Sequence, residues 1–201
     1  MGININQTKK QIHLYTKNTS YVIDTLDGEL IHSYWGKRIE LPDASPLIPI
    51  ETSVSFYPNP NKDNPTYSLD TLPREYPDFG RSDYRNPSVR LRLEDGTTIT
   101  KFHVVSFSEI KGKPALDGLP ATYAEDGDQV STLKVELKDA KTGVVIELFY
   151  TANESYDAIT RYVKYTNNGK ERVFLESAMS ANVDFYSDNN FDLIHFNGSW
   201  G

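Results

Sequence analysis

Apolar and polar residues alternate with a period of two over much of this chain. Between residues 89 and 93 valine and leucine alternate with arginine, and between 133 and 137 leucine and valine alternate with lysine and glutamate. Successive side chains of a strand point to opposite faces, so this period is typical of half-buried β-strands. Similar segments predict ten or more strands, and no segment shows a convincing helical period. The clearest predicted strands are residues 11–16, 20–26, 30–36, 89–93, 98–107, 133–137, 144–150, 159–165 and 173–185.

Short turn sequences separate these strands. Asp27-Gly28 and Asp95-Gly96 favour tight turns, and Asn167-Asn168-Gly169-Lys170 contains residues that tolerate positive φ. The second turn is predicted to lead strand 89–93 into strand 98–107, and the third to join strands 159–165 and 173–185 as a hairpin. Successive hairpins favour an antiparallel sandwich over a parallel α/β sheet. Without an internal repeat or a linker-like change in composition, we predict an all-β, antiparallel single domain over residues 1–201, with little helix.

A proline-rich segment interrupts the strand pattern between residues 57 and 87. It holds six of the eleven prolines, which exclude a helix or a central strand because proline fixes φ and lacks a backbone donor. Its tyrosines, phenylalanine and leucines provide more apolar surface than a disordered segment carries. We therefore predict an ordered loop that its aromatic residues hold in place and that faces a ligand or a partner subunit.

Composition excludes several classes of function. The net charge is -7, from 21 basic and 28 acidic residues, and no basic patch favours binding to nucleic acid. The chain has no cysteine, no apolar run long enough to cross a membrane and no signal-like apolar stretch near Met1. These observations predict a cytoplasmic protein that binds neither nucleic acid nor membranes.

The candidate catalytic residues carry only weak signals. The four histidines lie in predicted strands without metal-ligand spacing, so no metal site is predicted. Two carboxylates suffice for glycoside hydrolysis, but spacing alone does not pair any two here. We interpret each acid as structural and expect Asp83 to pair with Arg85 or Arg81. The acids considered are Asp63, Asp70, Glu75, Asp78 and Asp83 in the central loop, and Asp184, Asp188 and Asp192 further on.

Trp200 lies beside Gly198 and Gly201 at the end of the sequence. A tryptophan on a glycine-rich turn can present a flat apolar face to a sugar ring or a peptide. It can equally be covered by whatever chain follows, and the sequence leaves both alternatives open.

Several motifs, in order along essentially the whole chain, resemble the N-terminal domain of family 36 glycoside hydrolases, the bacterial α-galactosidases. They are Tyr34-Trp35-Gly36, Ser68-Leu69-Asp70-Thr71-Leu72-Pro73-Arg74-Glu75-Tyr76-Pro77 followed by Gly80, Asp83, Arg85 and Pro87, Lys113-Pro114 followed by Leu116 and Gly118-Leu119-Pro120-Ala121-Thr122-Tyr123, Asp157 followed by Ile159-Thr160-Arg161, and Ile194-His195 followed by Gly198 and Trp200-Gly201.

The resemblance implies a division of labour within a longer protein. Family members carry an N-terminal β-supersandwich, a (β/α)8 barrel and a small C-terminal β domain, and they hydrolyse terminal α-galactosyl residues of sugars such as melibiose and raffinose with retention. Their catalytic aspartates lie in the barrel, which needs about 250 residues of alternating strands and helices that this sequence lacks. The chain is therefore expected to be inactive alone, with no catalytic residue, cofactor or metal of its own.

The resemblance also implies which residues line the site. Trp200 matches a family tryptophan that lines the galactose pocket. The loop with Phe56, Tyr57 and Asn59 matches one that, in tetrameric members, reaches a neighbouring subunit's active site. The implied partners are α-galactoside sugars through the full-length enzyme, its own catalytic barrel and neighbouring subunits of a homo-oligomer. A free-standing carbohydrate-binding module and a structural oligomerisation domain remain alternatives.

Overall fold

The computed structural model describes residues 2–40, 43, 45–48, 61, 63–64, 67–119, 121–125, 129–184, 192 and 194–198. Over these residues it contains ten strands and one three-residue 3-10 helix, Ser45–Leu47. The strands are β1 (Ile3–Asn6), β2 (Gln11–Tyr15), β3 (Thr19–Leu26), β4 (Glu29–Lys37), β5 (Val89–Leu93), β6 (Phe102–Lys111), β7 (Val130–Asp139), β8 (Val144–Asn153), β9 (Ala158–Asn167) and β10 (Val173–Ala178). The predicted all-β fold with little helix is confirmed.

The strands of this described part form three antiparallel sheets. The first contains β1 to β4 in sequence order, the second contains β6 to β9 in sequence order, and a two-stranded sheet pairs β5 with β10. Asp27 and Gly28 turn β3 into β4 with φ values of 52° and 83°. Both values are left-handed, as a type I′ hairpin turn requires, so the turn predicted from the Asp-Gly pair is confirmed.

One hydrophobic cluster joins the three sheets. Ile12 and Ile23 of the first sheet and Leu133 and Ile146 of the second are fully buried, and Leu91 of the third belongs to the same cluster. These side chains alternate with more polar neighbours along their strands, so the period that predicts the strands also selects the core. The core therefore lies where the three sheets meet.

The pairing of β5 and β10 corrects two sequence-based expectations. Residues 95–96 do form a turn, in which Gly96 N donates to Leu93 O at 3.0 Å. However, residues 97–101 are not a strand, and β5 does not pair with β6. The hairpin predicted across residues 167–170 is wrong as well, because β9 pairs with β8 while β10 crosses to β5. The two turns reverse the chain locally, but the burial of each strand's apolar face decides its partner.

Gly169 has a different role from the one its turn sequence suggests. Its φ is not in the left-handed region, and a Cβ at this position would collide with the carbonyl oxygen of Thr142. The neighbouring turn at 139–143 therefore approaches too closely for any side chain. Glycine is needed at 169 for contact between two loops and not for positive φ.

The central loop is irregular but packed from residue 67 onwards. Tyr67, Leu69, Leu72 and Tyr76 are all buried, and the first three form a small apolar cluster with Ile31. This part of the loop is therefore held by its aromatic and leucine side chains, as predicted. Of the loop's first ten residues, 57–66, the structure describes only 61, 63 and 64.

Candidate functional site: a buried charge network beside an aromatic cleft

The Leu-Pro-Arg-Glu-Tyr motif of the central loop attaches to β4. His32 N donates to Pro73 O at 2.8 Å, and Glu75 N donates to Leu30 O at 2.8 Å. The segment is extended there, so consecutive side chains point in opposite directions. Arg74 and Glu75 consequently enter two different buried environments from adjacent positions.

Arg74 lies among three buried carboxylates. Its side chain is 2% exposed, and its guanidinium contacts Glu29 at 2.9 Å, Asp78 at hydrogen-bond distance and Asp83 at 3.4 Å. Burial opposes the positive charge, but the carboxylates of Asp78 and Glu29 outweigh it and raise the pKa of Arg74. Arg74 is therefore a permanent cation that organises the acids of the loop.

Two further arginines balance the charge of this group. Arg81 contacts Glu29 and Asp78, each at 2.9 Å, and Arg85 contacts Asp83 at 3.0 Å. Arg85 also donates to the carbonyl oxygens of residues 69 and 72, at 3.0 and 2.8 Å. Three carboxylates thus face three guanidiniums, which is how buried charges are tolerated in proteins.

Glu75 forms the second buried group. Its carboxylate is fully buried and accepts hydrogen bonds from Tyr21 at 2.8 Å, Tyr150 at 2.8 Å and Arg161 at 2.9 Å. His32 Nδ1 lies 3.4 Å away. Burial alone would raise the pKa of a carboxyl group, but Arg161 and His32 outweigh it and lower the pKa of Glu75. Glu75 is thus a buried anion that fixes Arg161.

Arg161 connects this buried group to a cleft of about 210 Å³. The cleft lies between β3 and β4 on one side and β9 on the other. Trp35 is 49% exposed at its rim, and the Trp35 and Tyr21 rings lie 6.2 Å apart. An aromatic face beside a guanidinium suits an extended peptide or a sugar ring. The lining residues are Thr19, Tyr21, Trp35, Asp157, Ile159, Arg161, Ala181 and Val183.

Both buried groups hold the chain that follows β10. Tyr76 donates to Met179 O at 2.6 Å, Arg161 donates to Asn182 O at 3.3 Å, and Asn182 Nδ2 donates to Arg74 O at 3.0 Å. The motif of the central loop therefore fixes the course of residues 179–184 along the cleft.

The residues predicted to line a sugar site lie outside the described residues. They are Trp200 and, in the proline-rich loop, Phe56, Tyr57 and Asn59. The structure therefore does not test their assignment.

Three of the acids considered from sequence are buried in ion pairs. Asp83 pairs with Arg85, as predicted, but its second partner is Arg74 and not Arg81. Glu75 accepts from several donors inside the protein, so its carboxylate is not available to a substrate. The described acids thus stabilise the fold and do not form a catalytic pair.

Sequence reasoning missed two members of these groups. Glu29 follows the Asp27-Gly28 turn, and Arg161 lies in β9, far along the chain from the loop acids that they contact. The only available signal was the density of arginines and acids between residues 74 and 85, which indicates paired charges without naming distant partners. Of the histidines, His195 is exposed and outside the strands, unlike the prediction.

The described ranges contain neither a metal site nor a membrane-spanning helix. No group of three or more histidine, aspartate or glutamate side chains within them is arranged to hold a metal ion. No helix there has both the length and the apolar character that crossing a membrane requires.

The fold and the motif around Arg74 and Glu75 define a class of protein. A family model described as the glycosyl hydrolase family 36 N-terminal domain matches residues 28–201. The chain therefore belongs to this family, which confirms the resemblance seen in the sequence.

Particular relatives make the comparison concrete. The chain is 40% identical to α-galactosidase AgaA of Geobacillus stearothermophilus over 202 residues, which make up 100% of this chain and 27% of that protein. The crystal structure of an AgaA variant in complex with raffinose matches 89% of this chain and 25% of that one, with a TM-score of 0.83 and 40% identity. For the α-galactosidase from Lactobacillus brevis the TM-score is 0.88 at 30% identity, over 92% of this chain and 25% of that one. The chain thus spans about a quarter of the length of these relatives.

Proposed function

We propose that this chain is the non-catalytic N-terminal domain of a retaining α-galactosidase that hydrolyses terminal α-galactosyl residues of raffinose- and melibiose-type oligosaccharides. The observation that carries the proposal is the family match over residues 28–201, in relatives whose remaining three quarters have no counterpart here. The raffinose complex of an AgaA variant supports this substrate class. We call the chain together with the segments that its relatives carry after it the longer protein.

Within the longer protein, the domain shapes the rim of the active site and an interface between subunits. Trp200 packs against the bound galactose, and the stiff loop with Phe56, Tyr57 and Asn59 reaches the site of a neighbouring subunit in a cytoplasmic homotetramer. The family resemblance of these segments supports both assignments. Three prolines at positions 58, 60 and 65 also favour a permanent contact, because a stiff loop loses less entropy on docking.

The purified 201-residue chain is expected not to hydrolyse an aryl α-galactoside, whereas the longer protein hydrolyses it. The reason is that the described carboxylates are committed to ion pairs, and family members place their catalytic aspartates in the barrel. Steady-state assays of both proteins test this, and galactose titration of the short chain tests the binding-module alternative. Turnover by the short chain that an aspartate substitution within it abolishes would overturn the proposal.

Replacing Trp200 with alanine in the longer protein is expected to lower kcat/KM for melibiose by roughly tenfold. Aromatic packing of this kind contributes on the order of 1 kcal/mol beyond the area that it buries. Trp200→Phe keeps an apolar ring and should retain most of the activity. An unchanged kcat/KM in the alanine variant means that Trp200 only packs against protein.

A further inference from the structure

β9 is an edge strand over its whole length. Its ten residues pair with β8 from Ala158 opposite Asn153 to Asn167 opposite Val144, without any shift in register. Across the parts of the chain that the structure describes, no strand pairs with its other side. Every second backbone N–H and C=O of β9 therefore points away from the sheet.

This edge lacks the features that normally protect an edge strand. Exposed edges are usually short, bulged, proline-containing or charged, because open backbone groups recruit other strands. β9 has no proline, and its two charged side chains are Arg161, which contacts Glu75 at 2.9 Å, and Lys164, which contacts Glu147 at 3.2 Å. Neither charge is thus left unpaired to repel an incoming strand.

The other edges differ from β9 in this respect. β6, at the opposite edge of the same sheet, has a register shift between Val104 and Ser106. β10 has one between Leu175 and Ser177. β9 is as long as β6 but regular, so it is the edge best suited to pairing with a further strand.

The aromatic cleft lies beside this edge. Ile159 and Arg161 of β9 form one wall, and Trp35 with Ala181 and Val183 lines the opposite parts. An extended segment next to β9 would therefore meet open backbone groups and a recess for its side chains. Strand addition uses this combination, since the backbone provides affinity and the side-chain pocket provides specificity.

We propose that the β9 edge and its cleft receive an extended segment from the part of the longer protein that follows residue 201. This proposal rests on the proposed function only in requiring that the chain continue. The relatives continue for about three quarters of their length, since this chain covers 27% and 25% of them. A segment of the same polypeptide also has a far higher effective concentration at the edge than a second copy. Its addition extends the second sheet by one strand and covers Trp35.

Hydrogen exchange of the β9 amides tests this in both proteins. In the 201-residue chain, every second amide of β9 should exchange quickly, and in the longer protein these same amides should exchange at least about tenfold more slowly. The amides of β8, an interior strand, should be protected in both and serve as the control. Protection has no bearing on hydrolysis, so a longer protein that protects β9 but lacks α-galactosidase activity refutes only the proposed function.

A matched pair of substitutions strengthens the test. Val163→Pro and Lys164→Pro each remove one N–H from adjacent residues, one facing β8 and the other facing the open edge. The variant at the outward-facing amide, which fast exchange in the short chain identifies, should lower the thermal midpoint of the longer protein more than that of the short chain. Fast exchange in both proteins overturns the proposal. Slow exchange in the short chain with a doubled mass by light scattering assigns the edge to a second copy and also overturns it.

Discussion

Replacing Glu75 with alanine is expected to lower the free energy of unfolding by about 3–5 kcal/mol, the range for removing one member of a buried ion pair. The carboxylate is fully buried and accepts from Arg161, Tyr21 and Tyr150. Its removal leaves the Arg161 guanidinium, 12% exposed, without its anion and two buried hydroxyls without their acceptor. Urea unfolding followed by tyrosine fluorescence measures the change.

Glu176→Ala is the matched control for this substitution. Glu176 also contacts two arginines, Arg90 at 3.4 Å and Arg92 at 2.8 Å, but its side chain is 34% exposed. Solvent screens such pairs, so the expected loss is at most about 1 kcal/mol. If both variants lose equal stability, burial of Glu75 is not what makes its interactions strong.

The lowered pKa of Glu75 also sets the direction of the pH dependence. Its folded-state pKa lies below the ordinary value of 4.5. The stabilisation from this group is therefore complete above pH 4.5 and is lost as the pH falls through the folded-state pKa. Below pH 4.5 the thermal midpoint of the unsubstituted chain should thus decrease more steeply than that of Glu75→Gln, which carries no titrating carboxyl. Parallel curves would show that Glu75 does not contribute to this loss.

Replacing Arg74 with methionine is expected to cost about 3 kcal/mol of unfolding free energy. Methionine has a similar length but leaves Glu29, Asp78 and Asp83 with fewer partners at sites that are at most 3% exposed. The remaining arginines compensate part of the charge, so the expected cost lies at the lower end of the range for buried pairs. The measurement is the midpoint and slope of urea unfolding.

Arg92→Met controls for loss of an arginine at an exposed pair. Arg92 contacts Glu176 at 2.8 Å and its side chain is 40% exposed, so its loss should cost at most about 1 kcal/mol. A larger loss for Arg92→Met than for Arg74→Met would contradict the assignment of Arg74 as the organising cation.

The sequence by itself determined the local features of this protein. The period of two located most of the strands, because the spacing of side chains on a strand is the same wherever the strand lies. The Asp27-Gly28 pair determined a turn, because few residues tolerate its left-handed backbone. The order of the motifs along the chain also indicated the family. Each of these signals depends on residue identities and their spacing along the chain, so the sequence alone carries it.

Only the tertiary structure decided which distant groups meet. Pairing of β10 with β5 depends on which apolar faces the two large sheets leave uncovered, and the turn at residues 167–170 carries no information about that. Gly169 is required by an approaching loop, and Glu75 becomes a buried anion because Arg161 arrives from a strand more than eighty positions later. Strand partners, burial and charge compensation are properties of the packed chain, since each depends on contacts between segments that are far apart in sequence.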